Sequence, residues 1–519
     1  MKKLAFILAI SALSLSTFTQ DKLNRQDLRD LKDADFAFFQ GDYAFALQLL
    51  EPLYSKDSSN TDICFLYGAT MVELQQVDSS VLGALNRARA GMNTESLYYL
   101  GRAEHLSHHF ETAVSRFTEY LYHEKKEQSN DEVERQMAIS VRALKMVSDP
   151  VDVKVTNLGP GVNTADKEYV PVITGDGQTL YFTSRRSNTT AQLKDPNGEY
   201  FEDIYFSRKV NGQWSKAENA GLPINSETHD ATVSISADGQ TMIIYRTNKN
   251  LSGGDLYLTE MKNGRWSEPR LLDERINSTY QEASAALNRN ASILYFSSNR
   301  PGGFGGKDIY RVKRLPNGSW SLPKNLGPMI NTPYDEDAPF VDIDENFLYF
   351  SSNGHETMGG YDVFRSRRLD SERWGKPENL GYPVNTVKDD IFMTLDASGK
   401  TGYYTSAADG GFGQLDIYSL EFIYRENKVL VVKGTISDLK GNPVKARITL
   451  LDENSREVQG IYTSNEGTGK FILAINPLTT YRMFIDADGY RGQQDELYFE
   501  FPEGEEFELE SPPYILIEE

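Results

Sequence analysis

Four arrangements in this 519-residue chain invite a chemical reading. His105 and His109 stand i, i+4 apart with His108 beside them, a spacing that on one helix presents two imidazoles to zinc. The helical pattern around them instead puts Ser107 to His109 in a turn between helices, which separates the rings, so no metal site is assigned. Asp342-Ile343-Asp344-Glu345-Asn346 has the acid spacing of a calcium loop, but no glutamate follows at the distance such a loop needs. It reads as a turn. The run Asn299 to Lys307, with four glycines, suggests a phosphate cradle, but it lacks the Gly-Lys-Ser/Thr ending and precedes a strand rather than a helix. Lastly, Asp203, Asp255, Asp308, Asp362 and Asp416 recur and could form a ring of carboxylates. The expectation is that each accepts backbone N–H groups and fixes its own loop. No Gly-x-Ser-x-Gly elbow or Ser/His/Asp set accompanies them. The chain therefore reads as a non-enzyme, with no catalytic, cofactor-binding or metal-binding residue assigned.

These aspartates belong to a repeat of about 53 residues. Acid-aliphatic-aromatic recurs at Asp203-Ile204-Tyr205, Asp255-Leu256-Tyr257, Asp308-Ile309-Tyr310, Asp362-Val363-Phe364 and Asp416-Ile417-Tyr418, in steps of 52, 53, 54 and 54. All four tryptophans, Trp214, Trp266, Trp320 and Trp374, keep the same period, and three follow Asn-Gly pairs at 211–212, 263–264 and 317–318. Asn-Gly between alternating segments sets a type I′ hairpin, because both central residues need positive φ. Aliphatic-Asn pairs form a third mark, at Asn163, Asn225, Asn277, Asn331 and Asn385. An apolar strand such as Leu348-Tyr349-Phe350 precedes each acid, and an alternating strand precedes that.

Four antiparallel strands at this period make a propeller blade. Five modules are visible. The last has only three strands, and Lys154 to Gly159 matches Lys376 to Gly381, a fourth strand. The two ends of the region are thus expected to close a five-bladed β-propeller over 149–425. These modules resemble the PD40 repeat (WD40-like, TolB-type), and the second departs from it at Ile243-Ile244-Tyr245-Arg246. That resemblance implies a fold and little chemistry.

Before the repeat, Gly41-Asp42-Tyr43-Ala44-Phe45-Ala46-Leu47, and Tyr98 to Gly101 followed by Phe110, Ala113, Phe117 and Tyr120, match the helix–turn–helix repeat of about 34 residues. They resemble tetratricopeptide (TPR) repeats and imply a TPR-like helical domain over 20–148, ending in a helix from Asp131 to Val147. After the repeat, short strands such as Val429 to Asp438 and Ala446 to Leu450 predict a small sandwich over 426–519. It resembles the carboxypeptidase regulatory-like domain, a transthyretin-like β-sandwich. From Asp495 to Glu519 there are ten acids and no Lys or Arg, which reads as a solvated acidic tail or a dock for a basic partner.

Met1-Lys2-Lys3, an apolar run to Leu15 and small residues before a cut after Thr19 read as a signal peptide over 1–19. Its apolar run would span about 18 Å as a helix, short of a bilayer core of about 30 Å. The single cysteine, Cys64, has no partner for an intramolecular disulfide. A net charge of −21 opposes nucleic acid as a partner.

In this order the segments are similar to the PorE-type family of Bacteroidota envelope proteins, linked to type IX secretion. That family usually ends in an OmpA-like peptidoglycan-binding domain, which is not seen here. The resemblance implies a multidomain α plus all-β scaffold in the periplasm, associated with the outer membrane through partners. Other envelope proteins, and a peptidoglycan-associated complex, are the expected partners. No transmembrane segment is expected in the mature chain. The alternatives are a glycan- or peptidoglycan-binding protein and a hydrolase with a propeller active site.

Overall fold

The computed structural model describes residues 23–519 except 125, 196–197, 263, 290, 423–429, 455, 457, 478 and 500–507. The signal-peptide reading and Asn263 lie outside the described residues. No helix among the described residues is long and apolar enough to cross a membrane. The chain divides into two compact units, 1–107 with 115–133, and 108–114 with 134–519.

Among the described residues seven helices come first: α1 (Arg25–Gln40), α2 (Tyr43–Lys56), α3 (Thr61–Glu73), α4 (Ser79–Ala90), α5 (Glu95–Leu106), α6 (Phe110–Leu121) and α7 (Asn130–Ser148). Gly41 ends α1 at φ +81°, where a side chain is strained, and Asp42 then caps α2 by accepting from Phe45 N at 3.2 Å. Two residues thus turn the chain between helices. Small residues set the approach: Ala34, Ala37 and Ala46 pack with Leu50 and Leu66, and a Cβ on Gly101 would lie 2.5 Å from the Phe117 ring. Ser107, His108 at φ +61° and His109 occupy the α5–α6 turn, so the two outer histidines do not share a helix.

Among the described residues of the second unit, five antiparallel sheets follow one another. Sheet 1 runs Glu168–Ile173, Thr179–Ser184, Asp203–Val210, with Gln213–Trp214 and Glu218–Asn219 both on the third strand. Sheets 2 to 4 repeat this order from Asp230–Ile235, Ala285–Leu287 and Glu336–Val341. Sheet 5 holds Asp390–Leu395, Thr401–Ser406 and Asp416–Phe422, and its outer strand is Val153–Asn157 from the other end of the region. First strands contact first strands around the series, and that of sheet 1 contacts that of sheet 5. The architecture is propeller-like.

The first strands are bent where they face inward. Val170, Ala338 and Phe392 occupy matching positions at φ +50°, +50° and +59°, each at a register shift. Such backbone is costly for a β-branched residue. Bonds between sheets hold it: Val170 N donates to Thr405 Oγ1 of sheet 5, Thr232 Oγ1 of sheet 2 donates to Val170 O, and Ala338 N donates to Ser284 Oγ of sheet 3.

The Asn-Gly turns divide into two kinds. Asn211 (φ +51°) and Gly212 (φ +78°) form the expected primed turn between Val210 and Gln213. At Asn317-Gly318 only the glycine has positive φ, and Gly318 N donates to Leu315 O. Pro316 holds φ near −65° at the first turn position, which excludes the primed form.

Two further sheets form the C-terminal domain. One centres on Leu430–Asp438 and the other on Arg447–Asp452, around a core that includes Val432, Ile448, Phe471 and Met483. Where it is described, the acidic end is not a free tail. Glu508–Glu510 and Tyr514–Leu516 pair in parallel with Leu430–Asp438, and Glu519 N donates to Gly489 O. Alternation explains this: Tyr514 and Leu516 are buried while Ile515 points out, and acids flank the buried pair without entering the core.

Candidate functional site: a roofed central cavity and the residues that frame it

The repeated aspartates start the third strand of each sheet, four of them buried. Asp308 accepts Phe304 N at 2.7 Å, Gly305 N at 3.0 Å and Asn325 Nδ2 at 2.6 Å. Asp416 repeats this with Phe412 N, Gly413 N and Asn157 Nδ2, the last from the closing strand. Asp203 accepts Thr190 N and Asn219 Nδ2, and Asp362 accepts Met358 N and Asn379 Nδ2. Asp255 differs: Leu271 stands where the others have an asparagine, and Asp255 is only partly buried. The glycine-rich loop at 299–307 wraps Asp308, and it must be bare there, because a Cβ on Gly305 would lie 1.9 Å from Tyr334 O. Asp342 heads a turn, accepting Phe347 N at 2.9 Å.

The tryptophans sit beyond the third strands, and three reach the neighbouring sheet. Trp266 meets Tyr181 of sheet 1 edge-on at 5.8 Å, Trp374 meets Tyr295 of sheet 3 at 6.1 Å, and Trp214 of sheet 1 meets Tyr403 of sheet 5 at 5.8 Å. Trp320 packs, half-buried, on the cluster that includes Ile243 of sheet 2. Each asparagine of the aliphatic-Asn pairs imitates a strand. Asn331 Oδ1 accepts Ile309 N at 2.8 Å while its Nδ2 donates to Ile309 O at 3.0 Å, and Asn163 does the same to Ile417. Asn331→Ala would leave Ile309 N unpaired in the interior while Ile309 O keeps Leu326 N at 3.1 Å, an expected loss of about 1–3 kcal/mol, read by urea unfolding of the full chain.

A second set of acids escaped the sequence reading. Glu168, Asp230, Glu282, Glu336 and Asp390 lie near or at the start of the first strands, almost fully buried. Each takes N–H and hydroxyl bonds from the residue four earlier, Thr164, Ser226, Ser278, Thr332 or Thr386. The signal was present as Asn-Thr/Ser-x-x-x-Glu/Asp, read only as far as its asparagine. In sheets 1 to 3 an arginine pairs with the acid: Arg186 with Glu168, Arg246 with Asp230, Arg300 with Glu282. Each arginine also donates to a backbone carbonyl, of Val162, Ile224 and Ile276. In sheet 4 Gly354 takes that place and the next residue, His355, reaches the equivalent carbonyl, its Nε2 2.7 Å from Ile330 O, and in sheet 5 the position is Ala408. Burial, without an adjacent arginine, pushes Glu336 up to about 7 and Asp390 well above the carboxylate range.

The first strands enclose a cavity of about 1710 Å³, roofed by the C-terminal domain. Its walls include Val172, Val233, Ala285, Phe340 and Phe392 with Ser234 and Thr394, and they carry no charge. The charged groups lie toward the roof and come from different elements, among them Asp238 from sheet 2, Arg289 and Arg314 from sheet 3, Asp396 from sheet 5, and Lys445, Arg447, Asp486, Asp488 and Glu519 from the roof. Thr463 N donates to Asp238 Oδ2 at 3.2 Å, and Arg289 donates to Gln459 O at 2.8 Å and Ala474 O at 3.1 Å, which holds the roof on sheets 2 and 3. Burial raises both Asp238 and Asp396. Such a space suits a bound molecule that is uncharged along its length.

No family model matches the chain, and no curated protein matches it. Among solved structures it is similar to an endo-arabinase from Bacteroides thetaiotaomicron VPI-5482, at 13% identity over 51% of this chain and 96% of that one, with a TM-score of 0.34. An α-L-arabinofuranosidase from Lactobacillus brevis matches at 12% identity over 51% of this chain and 92% of its own, also at 0.34. A 3-chlorocatechol 1,2-dioxygenase from Rhodococcus opacus 1CP matches at 13% over 19% of this chain, with a TM-score of 0.16; the match spans 62% of that enzyme's chain, less than two thirds.

Proposed function

We propose that the protein is a non-enzymatic scaffold of the bacterial cell envelope, exported to the periplasm and held near the outer membrane by its partners. In this reading the helices are TPR repeats, the five sheets are blades of one PD40-type propeller, and the last domain is a transthyretin-like sandwich. The helical and propeller surfaces each hold a different protein, in a complex of the type IX secretion kind. One observation carries the reading: the polar side chains that recur from sheet to sheet are bonded to backbone and neighbouring side chains, which is structural work. Crosslinking with mass spectrometry in intact cells, followed by mild-detergent purification, is expected to recover the chain with discrete envelope partners. Recovery of the chain alone would overturn the proposal.

A glycan-binding reading is favoured by the cavity, where Phe340, Phe392 and Tyr490 stand beside Ser234, Thr394 and Asn288. Aromatic faces and neutral polar groups suit sugar rings. Glycan arrays and peptidoglycan pull-downs separate the two readings, and binding lost on Phe392→Ala would support this second one.

A further inference from the structure

We infer that a second, smaller pocket, between α7 and sheet 4, binds an oxyanion, a carboxylate or phosphate carried on a flat apolar body. This goes beyond the scaffold reading and does not depend on it. The part of α7 from Glu134 onward belongs to the same compact unit as the sheets. It supplies two arginines to the loop that follows the second strand of sheet 4. Arg142 Nε donates to Thr357 O at 2.9 Å, and Arg135 donates to Asn353 O while its guanidinium lies 4.3 Å from the centre of the Tyr334 ring. Between them and Lys376 opens a space of about 570 Å³, whose lining includes the apolar surfaces of Tyr334, Phe364 and Pro377.

The charges in this space do not cancel within it. Lys376 is matched by Glu356 and Glu378 by Arg365, which leaves Arg142, in a chain whose net charge is −21. Both carboxylates are largely exposed, with side chains 69% and 65% accessible, and both are engaged: Glu356 with Lys376 at 3.3 Å and Glu378 with Arg365 at 3.1 Å. Among the described residues no carboxylate lies within ion-pair distance of Arg142, and its one hydrogen bond to protein uses Nε. Burial lowers its affinity for a proton despite Glu356 and Asp362 nearby, the condition of a cation short of an anion. A guanidinium anchored through Nε keeps two terminal nitrogens for the fork that matches a carboxylate or phosphate. The aromatic and proline surfaces give the body of such a ligand a place to lie, and the volume falls within the range of small-molecule sites.

Titration calorimetry on the full chain uses three probes: N-acetylphenylalanine, its uncharged amide, and inorganic phosphate. N-acetylphenylalanine is expected to bind, about tenfold more weakly in Arg142→Gln and several-fold more weakly in Lys376→Ala, with affinity falling as salt rises. The amide is expected not to bind. Lys376 is largely exposed, so Lys376→Ala keeps the test decisive if Arg142→Gln fails to fold. Phosphate binding alone, weakened by the same changes, supports the site and assigns it to a phosphorylated ligand. Binding of neither anion, or equal binding by wild type and the folded variants, overturns the inference.

Discussion

Unfolding of the full chain in urea is expected to show stability falling as pH rises from about 5 to about 8. Glu336 and Asp362 are both pushed up to about 7 by burial, Asp230 to about 6, and Asp390 well above its ordinary range. Between about pH 4 and these values the folded chain holds protons that the unfolded chain has released. These carboxyls therefore make stability decline with pH across that window and level off above it, partly offset by His108 and His355, whose burial favours the neutral ring and so adds stability as pH rises through the imidazole range. The shift at Glu336 alone corresponds to about 3 kcal/mol. Glu202 acts in the opposite sense. Its bonds to His229 and Tyr169 and the Arg185 charge hold it down at about 2, a contribution lost only in stronger acid. Asp390→Asn tests the account. An asparagine oxygen can accept from Thr386 and its nitrogen can donate to Ser406 Oγ, matching the protonated acid. The variant should match wild type at pH 5 and exceed it at pH 8. An unchanged slope would remove Asp390 from the explanation.

Trp374→Ala is expected to be among the most damaging single changes in the second unit, costing about 3–5 kcal/mol. The ring is 6% exposed, stands edge-on to Tyr295 of the preceding sheet, and lies in a cluster with Ile309, Leu348 and Phe364. Removing it opens a void at a seam between two sheets, where neither can close over it alone. Trp320 is only half-buried, and Trp320→Ala should cost clearly less. Equal losses at the two positions in matched urea titrations would mean that the seam between sheets 3 and 4 is no more tightly packed than its neighbour.

Much of the propeller-like region was legible because its marks are local. The step of the Asp-aliphatic-aromatic triplet, the tryptophan period and the match between Lys154–Gly159 and Lys376–Gly381 anticipated the strand that crosses to Asp416–Phe422. What escaped detection depends on contacts between segments. Glu336 differs in no local way from Glu282. It lacks an arginine because Gly354 stands where Arg300 does in the preceding sheet, and the ring of the next residue, His355, reaches the equivalent carbonyl, a substitution between positions one apart that only the fold reveals. The cavity was illegible for the same reason, since it is lined by five first strands and by the roof. The acidic end misled because charge density argues for solvation, whereas the sparse alternation of Tyr514 and Leu516 is enough to add a strand. The pocket beside α7 depends on Arg135 and Arg142 meeting the loop of sheet 4, a contact that the helical pattern from Asp131 to Val147 does not carry.

The pairing of Val153–Asn157 with Asp416–Phe422 has a consequence for how the chain matures. Its earliest β segment finds its mate only after some 260 intervening residues have been synthesised. Until then, one rim of backbone donors and acceptors stays bare, a template for joining the wrong neighbour. Assembly of the region is thus timed by its slowest encounter, and a helper that shields a lone edge would hasten it more than one that speeds any single hairpin.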